Sequence, residues 1–206
     1  MNNLIIEQNK KLAFMSAFFL ALCIFLGYVV SRGIFSIDQA VQDSVVSLRN
    51  DFLSSIFIII TNIASPLFLQ IYSIAMFLFL VCFNRLHESV NFVVSMFAGM
   101  VSFFAVKSLF EISRPLDKIT NATGWGFPSG HTTLATIAFL LTIYFCKDLI
   151  KKDAYRKIFV EFFALIIALI AVSRIYLGAH FLSDVIGGFF LGLAIVLISV
   201  IFARTK

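Results

Sequence analysis

Six stretches of this chain approach the length of about 20 apolar residues that a helix needs to cross a bilayer's hydrocarbon core, and this restricts the fold more than any other feature. They run roughly Leu12 to Val30, Pro66 to Phe83, Val90 to Phe110, Thr132 to Cys146, Ile158 to Val172, and Val185 to Phe202. The residue balance agrees, with 61% hydrophobic, 13% charged and a mean hydropathy of +1.01, far from that of a soluble domain. The expected fold is all-α: an integral membrane bundle of six transmembrane helices forming one domain over 1–206. The fourth and fifth runs are short, so each is expected to extend into its flanking polar residues.

A seventh apolar run, Phe52 to Ile63, is too short to span and follows a polar stretch carrying Asp38, Asp43, Arg49 and Asp51. The segment Ser36 to Ala64 therefore reads as amphipathic helix at the interface, broken at Ser65-Pro66 before the second span. The competing reading is a bent hairpin of spans over Phe52 to Phe83. The first run follows Asn9-Lys10-Lys11 but lacks a small-x-small cleavage site near Val30-Ser31, so it reads as an uncleaved anchor. Cys23, Cys82 and Cys146 all fall inside spans, which suits packing rather than disulfides or metal binding.

Lysines and arginines set the orientation. With the N-terminus inside, the cytoplasmic segments hold Lys10, Lys11, Arg85, Lys147, Lys151, Lys152, Arg156, Lys157, Arg204 and Lys206. The other face holds Arg32, Arg49, Lys107, Arg114, Lys118 and Arg174. The asymmetry favours both termini in the cytoplasm. Split in this way between the two faces, the net charge of +5 gives no argument for nucleic acid.

Nearly all the polar chemistry lies in three patches that this topology sends to the outer face: Lys107 to Arg114-Pro115, Pro128-Ser129-Gly130-His131, and Ser173-Arg174 to His180 and Asp184. Lys107 and Arg114 are seven residues apart, so a helix continuing through both would put two cations on one face, with Pro115 ending it. Cations at membrane depth are costly, and a pair aimed at one spot needs an anion. Singly, each would pass as a snorkelling or boundary charge. Ser129 and Gly130 open the fourth span with free backbone N–H groups and a positive dipole end, which suit a phosphate, although a serine there is commonly a simple cap. His180 precedes Asp184 by four residues, so on a helix the carboxylate would hold one imidazole nitrogen and leave the other as nucleophile or base. A capping Ser183 with Asp184 complementing the dipole is the plainer alternative. His131, His180 and Asp184 also suggest a metal site, but Lys107, Arg114 and Arg174 would repel the ion.

The order Lys-x-x-x-x-x-x-Arg-Pro, then Pro-Ser-Gly-His, then Ser-Arg-x-x-x-x-x-His-x-x-x-Asp resembles the three-part signature of the type 2 phosphatidic acid phosphatase superfamily. Every position is filled, at Lys107, Arg114, Pro115, Pro128, Ser129, Gly130, His131, Ser173, Arg174, His180 and Asp184. The resemblance covers Lys107 to Asp184 directly. It implies a metal-independent phosphatase working through a phosphohistidine, with no cofactor. By that analogy His180 attacks phosphorus, Asp184 orients it, and His131 protonates the leaving oxygen and later activates water. Lys107, Arg114, Arg174, Ser129 and the Gly130 backbone would hold the phosphoryl oxygens, consistent with chemistry that depends on positioning and charge stabilisation. The family also includes soluble vanadium haloperoxidases, but the spans point to its bacterial membrane lipid phosphatase branch.

The implied partner is a phosphorylated lipid, at the outer face of a bacterial inner membrane. Undecaprenyl diphosphate ranks first, ahead of phosphatidylglycerophosphate, phosphatidate and a lipid A phosphate. Headgroup choice is expected to depend on the loop Glu111 to Phe127 and on the interfacial stretch Ser36 to Ala64; in the loop Trp125 anchors at the interface or walls the pocket, and Asp117, Lys118 and Asn121 contact a sugar or glycerol headgroup or are simply solvated. Gly187, Gly188 and Gly192 are spaced for close helix packing. His87 lies opposite the patches and receives no role. Intramembrane charge also marks transport routes, so a lipid transporter or scramblase is the competing class, separated from an enzyme by phosphate release. Nothing in the sequence fixes an oligomeric state.

Overall fold

In lipid every backbone N–H and C=O must be satisfied within the protein, and helices do this segment by segment. The computed structural model describes residues 2–33 and 36–204; Lys206, one of the cations counted above, lies outside them. The helices are α1 (Asn2–Ser31), α2 (Ile37–Ser47), α3 (Asp51–Asn62), α4 (Pro66–Cys82), α5 (Leu86–Phe110), α6 (Gly130–Cys146), α7 (Asp153–Tyr176) and α8 (Leu182–Ala203), with a 3-10 turn at Lys147–Leu149. Among the described residues, five helices are long and apolar enough to cross a membrane alone, and α3 with α4 makes a sixth span if the bent pair counts as one. The two short runs do extend into their motifs, α6 beginning at Gly130 and α7 continuing to Tyr176.

The segment expected as one interfacial helix over 36–64 is two. The chain breaks after α2, and Asn50 caps α3 by accepting a 2.9 Å bond from the Leu53 N–H. A second break follows at Ser65-Pro66, as expected: Ser65 caps α4, Pro66 occupies its first turn, and α3 and α4 meet at 42°. Rather than lying apart at the interface, α3 packs on α7, and α2 packs on α7 and α8.

Helix α8 is the hub, in contact with α1, α5 and α6. Lipid tails are as apolar as leucine, so close approach and polar contacts, not hydrophobicity, must select these partners. Gly188 illustrates this: a Cβ there would lie 2.6 Å from the Ser129 carbonyl oxygen, and one at Gly192 would lie 2.7 Å from Thr136 Cβ. Hydrogen bonds add to the packing. Ser16 donates to the Ala194 carbonyl at 2.8 Å, and Asn91 and Ser199 pair twice, at 2.8 and 2.9 Å. Cys23 and Cys146 are buried and Cys82 is exposed, all three as free thiols.

Candidate active site

The ends of α5 and α7, the starts of α6 and α8, and the loops joining them meet at one end of the bundle. There they enclose a cavity of about 610 Å³ lined by Lys107, Arg114, Gly130, His131, Arg174 and His180. Its floor is apolar, formed by Ala64, Pro66, Phe103, Phe104 and Leu134, while Asn121, Thr123 and Trp125 line the loop side.

Lys107 and Arg114 do converge, but not on a shared helical face. Helix α5 stops at Phe110 because Glu111 takes a left-handed conformation (φ 49°), ahead of the expected stop at Pro115. The loop then folds back, with the Gly126 N–H donating to the Ile112 carbonyl, and delivers Arg114 to the cavity. Lys107 Nζ donates to the carbonyls of Trp125 and Gly126 at 2.6 and 2.8 Å. Arg114 donates through Nε to the Gly124 carbonyl at 2.9 Å and through Nη1 to the Ala179 carbonyl at 2.6 Å.

His180 also sits differently from the expectation. Helix α8 begins at Leu182, so His180 lies in the preceding loop, yet its Nδ1 still reaches Asp184 Oδ2 at 3.1 Å. That same oxygen accepts the Phe181 N–H at 3.0 Å. On the other side of the ring, Arg114 Nη1 stands 3.0 Å from Nε2. A guanidinium can only donate, so Nε2 must present its lone pair and the proton must reside on Nδ1, facing the carboxylate. Burial, and then Arg114, Arg174, Lys107 and His131, hold the His180 pKa well below its ordinary 6.5, which keeps the ring neutral. The resulting neutral imidazole is held from both edges, its Nε2 lone pair accepting from Arg114 where both residues line the cavity.

Ser129 and Asp184 are fully buried and lie outside the cavity lining. Ser129 Oγ accepts from the Thr132 N–H at 3.4 Å and from the Thr132 hydroxyl at 3.0 Å, so its hydroxyl serves as the cap of α6. Its backbone N–H donates to the Asp184 carbonyl at 2.8 Å and ties the starts of α6 and α8 together. Gly130 does line the cavity, though a Cβ there would meet the Phe103 ring at 3.1 Å, so packing also calls for a glycine.

Three residues of α2, α3 and the turn between them brace this end of the bundle; the sequence singles out their stretch for headgroup choice but none of the three individually. Asp38, buried, accepts the Ser183 N–H at 2.8 Å and the Ser183 hydroxyl at the start of α8. Burial raises its pKa, and the bonds from Ser183 oppose the rise. Arg49 donates to the carbonyls of Tyr176 at 2.9 Å and Asp117 at 2.6 Å, tying the 111–129 loop to the end of α7. Thr61 Oγ1 accepts from Arg174 Nη1 at 2.6 Å. Trp125 is 41% exposed and also lines the cavity, so it faces both the surroundings and the site. His87 bonds the Phe202 carbonyl at the opposite end of α8.

The PAP2 superfamily model matches residues 105–206, which contain all three patches. Phosphatidylglycerophosphatase B of Bacillus subtilis (strain 168) is 27% identical over 177 residues, covering 85% of this chain and 87% of that protein. Lipid phosphate phosphatase delta of Arabidopsis thaliana is 31% identical over 90 residues, 41% of this chain and 21% of that one. Two solved structures, each 22% identical, share the fold. The transmembrane PAP2-type phosphatidylglycerolphosphate phosphatase from Bacillus subtilis superposes with TM-score 0.84, covering 94% of this chain and all of that one. LpxE of Aquifex aeolicus gives 0.66, over 81% and 96% of the two chains. With the motifs, the family match and the bundle in agreement, the chain belongs to the PAP2 superfamily as a multi-pass membrane member.

Proposed function

We propose that this protein is a membrane lipid phosphatase that removes a terminal phosphate through a phosphohistidine on His180. The observation that carries the reading is the pair of hydrogen bonds on the His180 ring: Asp184 on Nδ1, and Arg114 on an Nε2 that must hold a lone pair. A neutral imidazole aimed into a cationic cavity is what attack on phosphorus requires.

In the first step Arg114 Nη1 turns from Nε2 to a phosphoryl oxygen, and the freed Nε2 lone pair forms a bond to phosphorus as the bond from phosphorus to the lipid oxygen breaks. The ring becomes cationic and Asp184 stabilises it, while His131 gives a proton to the departing oxygen. Lys107, Arg114 and Arg174 hold the phosphoryl oxygens, with the Gly130 N–H at the start of α6 contributing to the same anion. In the second step His131 takes a proton from water, the water oxygen bonds phosphorus, and the bond to Nε2 breaks, releasing phosphate. Three cations supply the charge stabilisation that a metal ion provides in other phosphatases, so the reaction needs none. The Ser129 contribution is indirect: its hydroxyl fixes the first turn of α6.

The cavity's apolar floor and polar loop side suit a lipid with its phosphate at headgroup level. Phosphatidylglycerophosphate becomes the leading substrate, because the relative matching over most of this chain is a phosphatidylglycerophosphatase. Undecaprenyl diphosphate is second, with phosphatidate and lipid A behind. The excess of Lys and Arg on the opposite face supports an outward-facing site with both termini in the cytoplasm. The test is phosphate release by purified protein in detergent with excess chelator, across those four lipids, with His180→Ala as control. Release from one lipid that is lost in the variant is expected. Absence of release from all four would favour transport.

A further inference from the structure

Arg174 differs from the other two cations of the cavity in how it is held. Lys107 and Arg114 each donate to at least two backbone carbonyls. Among the described residues, the Arg174 side chain makes a single hydrogen bond, from Nη1 to Thr61 Oγ1 at 2.6 Å, and its Nε is buried without a partner. The tether crosses 113 positions of sequence, from the end of α7 to the last turn of α3. Thr61 is itself buried, and it immediately precedes the break at which α3 and α4 meet at 42°. Ala64 and Pro66, just beyond that break, line the same cavity as Arg174. The bend therefore brings one hydroxyl to the back of one guanidinium.

A lone tether matters because Arg174 has cations for neighbours. Lys107 and Arg114 share its cavity, and like charges push one another apart when no anion is present. A guanidinium that is free to withdraw must be ordered again each time an anion binds, which weakens binding. One already fixed in place avoids that loss.

We propose that Thr61 is a positioning residue, whose hydroxyl holds the Arg174 guanidinium ready for a phosphoryl group. This rests on the assignment of Arg174 to phosphate binding made above. Thr61→Val keeps the side chain's shape and removes the acceptor, and Thr61→Ser keeps the acceptor. The probe is orthovanadate, titrated calorimetrically into the purified full chain, with KM and kcat measured on whichever lipid the wild type hydrolyses. Thr61→Val should weaken orthovanadate binding about tenfold and raise KM by a similar factor, with kcat changed by less than about threefold. Thr61→Ser should stay within about twofold of wild type, because the charge-assisted bond is kept. Equal orthovanadate affinity in wild type and Thr61→Val would overturn the proposal. So would a Thr61→Ser variant as weak as Thr61→Val, which would mark the site as mere packing. Should the valine variant not fold, Thr61→Ala carries the same two outcomes. Wild-type protein that binds orthovanadate but cleaves no lipid would leave the tether standing and reject the enzymatic reading, whereas a wild type that cleaves a lipid but binds no orthovanadate would reject the tether and leave the enzymatic reading standing.

Discussion

Asp184→Asn exchanges one oxygen for an NH₂ group, and the bonds around Asp184 set what that should cost. Both of its donors, His180 Nδ1 at 3.1 Å and the Phe181 N–H at 3.0 Å, converge on Oδ2, while Oδ1 is buried without a partner. An asparagine can keep its carbonyl oxygen at the Oδ2 position, serve both donors, and leave its NH₂ where Oδ1 was. The proton then remains on Nδ1 and the Nε2 lone pair survives. What disappears is the negative charge beside a ring that, in the proposed mechanism, turns cationic as it attacks phosphorus, worth about 3–4 kcal/mol for unit charges whose centres lie about 4–5 Å apart at an effective dielectric near 20. Turnover should therefore fall by about 10²–10³. In a serine protease triad the corresponding change costs about 10⁴, because there it produces the wrong tautomer. The assay is initial-rate phosphate release at saturating lipid, with thermal melting as a check on folding. A loss of about 10⁴ or more in folded protein would show that the amide had turned and reversed the tautomer. A loss under about tenfold would show that the carboxylate charge plays no part.

Other outcomes follow from neighbouring features. His180→Ala should abolish turnover and leave no acid-labile phosphoenzyme after rapid quenching with labelled lipid; a phosphoenzyme in that variant would move the nucleophile elsewhere. Gly188→Ala would set a Cβ 2.6 Å from a backbone oxygen, where ordinary contact begins at 3.4 Å, and a backbone atom cannot rotate aside. Helix α8 must then withdraw from α6, which should lower stability by about 1–3 kcal/mol and reduce activity; an unchanged melting point would refute the close packing. The depressed pKa of His180 also links stability to pH. The unfolded chain binds the extra proton first, so this contribution is complete above the ordinary value of 6.5 and is lost as pH falls toward the folded value. Melting measured from pH 7.5 down to 5 should show that slope in wild type and a shallower one in His180→Ala.

The three patches were legible because their chemistry is concentrated in few residues of an apolar chain, and topology sends all of them to one end. Helix termini were harder. Lys107 and Arg114 looked like neighbours on one helix because their spacing allows it, and no glycine or asparagine announces that Glu111 will take the left-handed turn. Ser129 carried two readings, and burial decides for the cap. The bracing residues were invisible for a different reason: Asp38, Arg49 and Thr61 act on partners 145, 127 and 113 positions away, and only the folded chain brings them together. A threonine near the end of an apolar run has no local mark that separates an anchor for arginine from ordinary packing.

The hub of the bundle is also its last helix. While synthesis has reached only α7, Ser16 lacks its acceptor at Ala194, Asn91 lacks Ser199, and Lys107 and Arg114 lack the opposing charge of Asp184. Ser16 and Ala194 are 178 positions apart, so the first and final helices must find each other after everything between them has been made. The contacts that α8 makes along its length therefore wait for the last of the eight described helices. A nascent chain halted before α8 lacks Asp184, the carboxylate that holds the His180 ring.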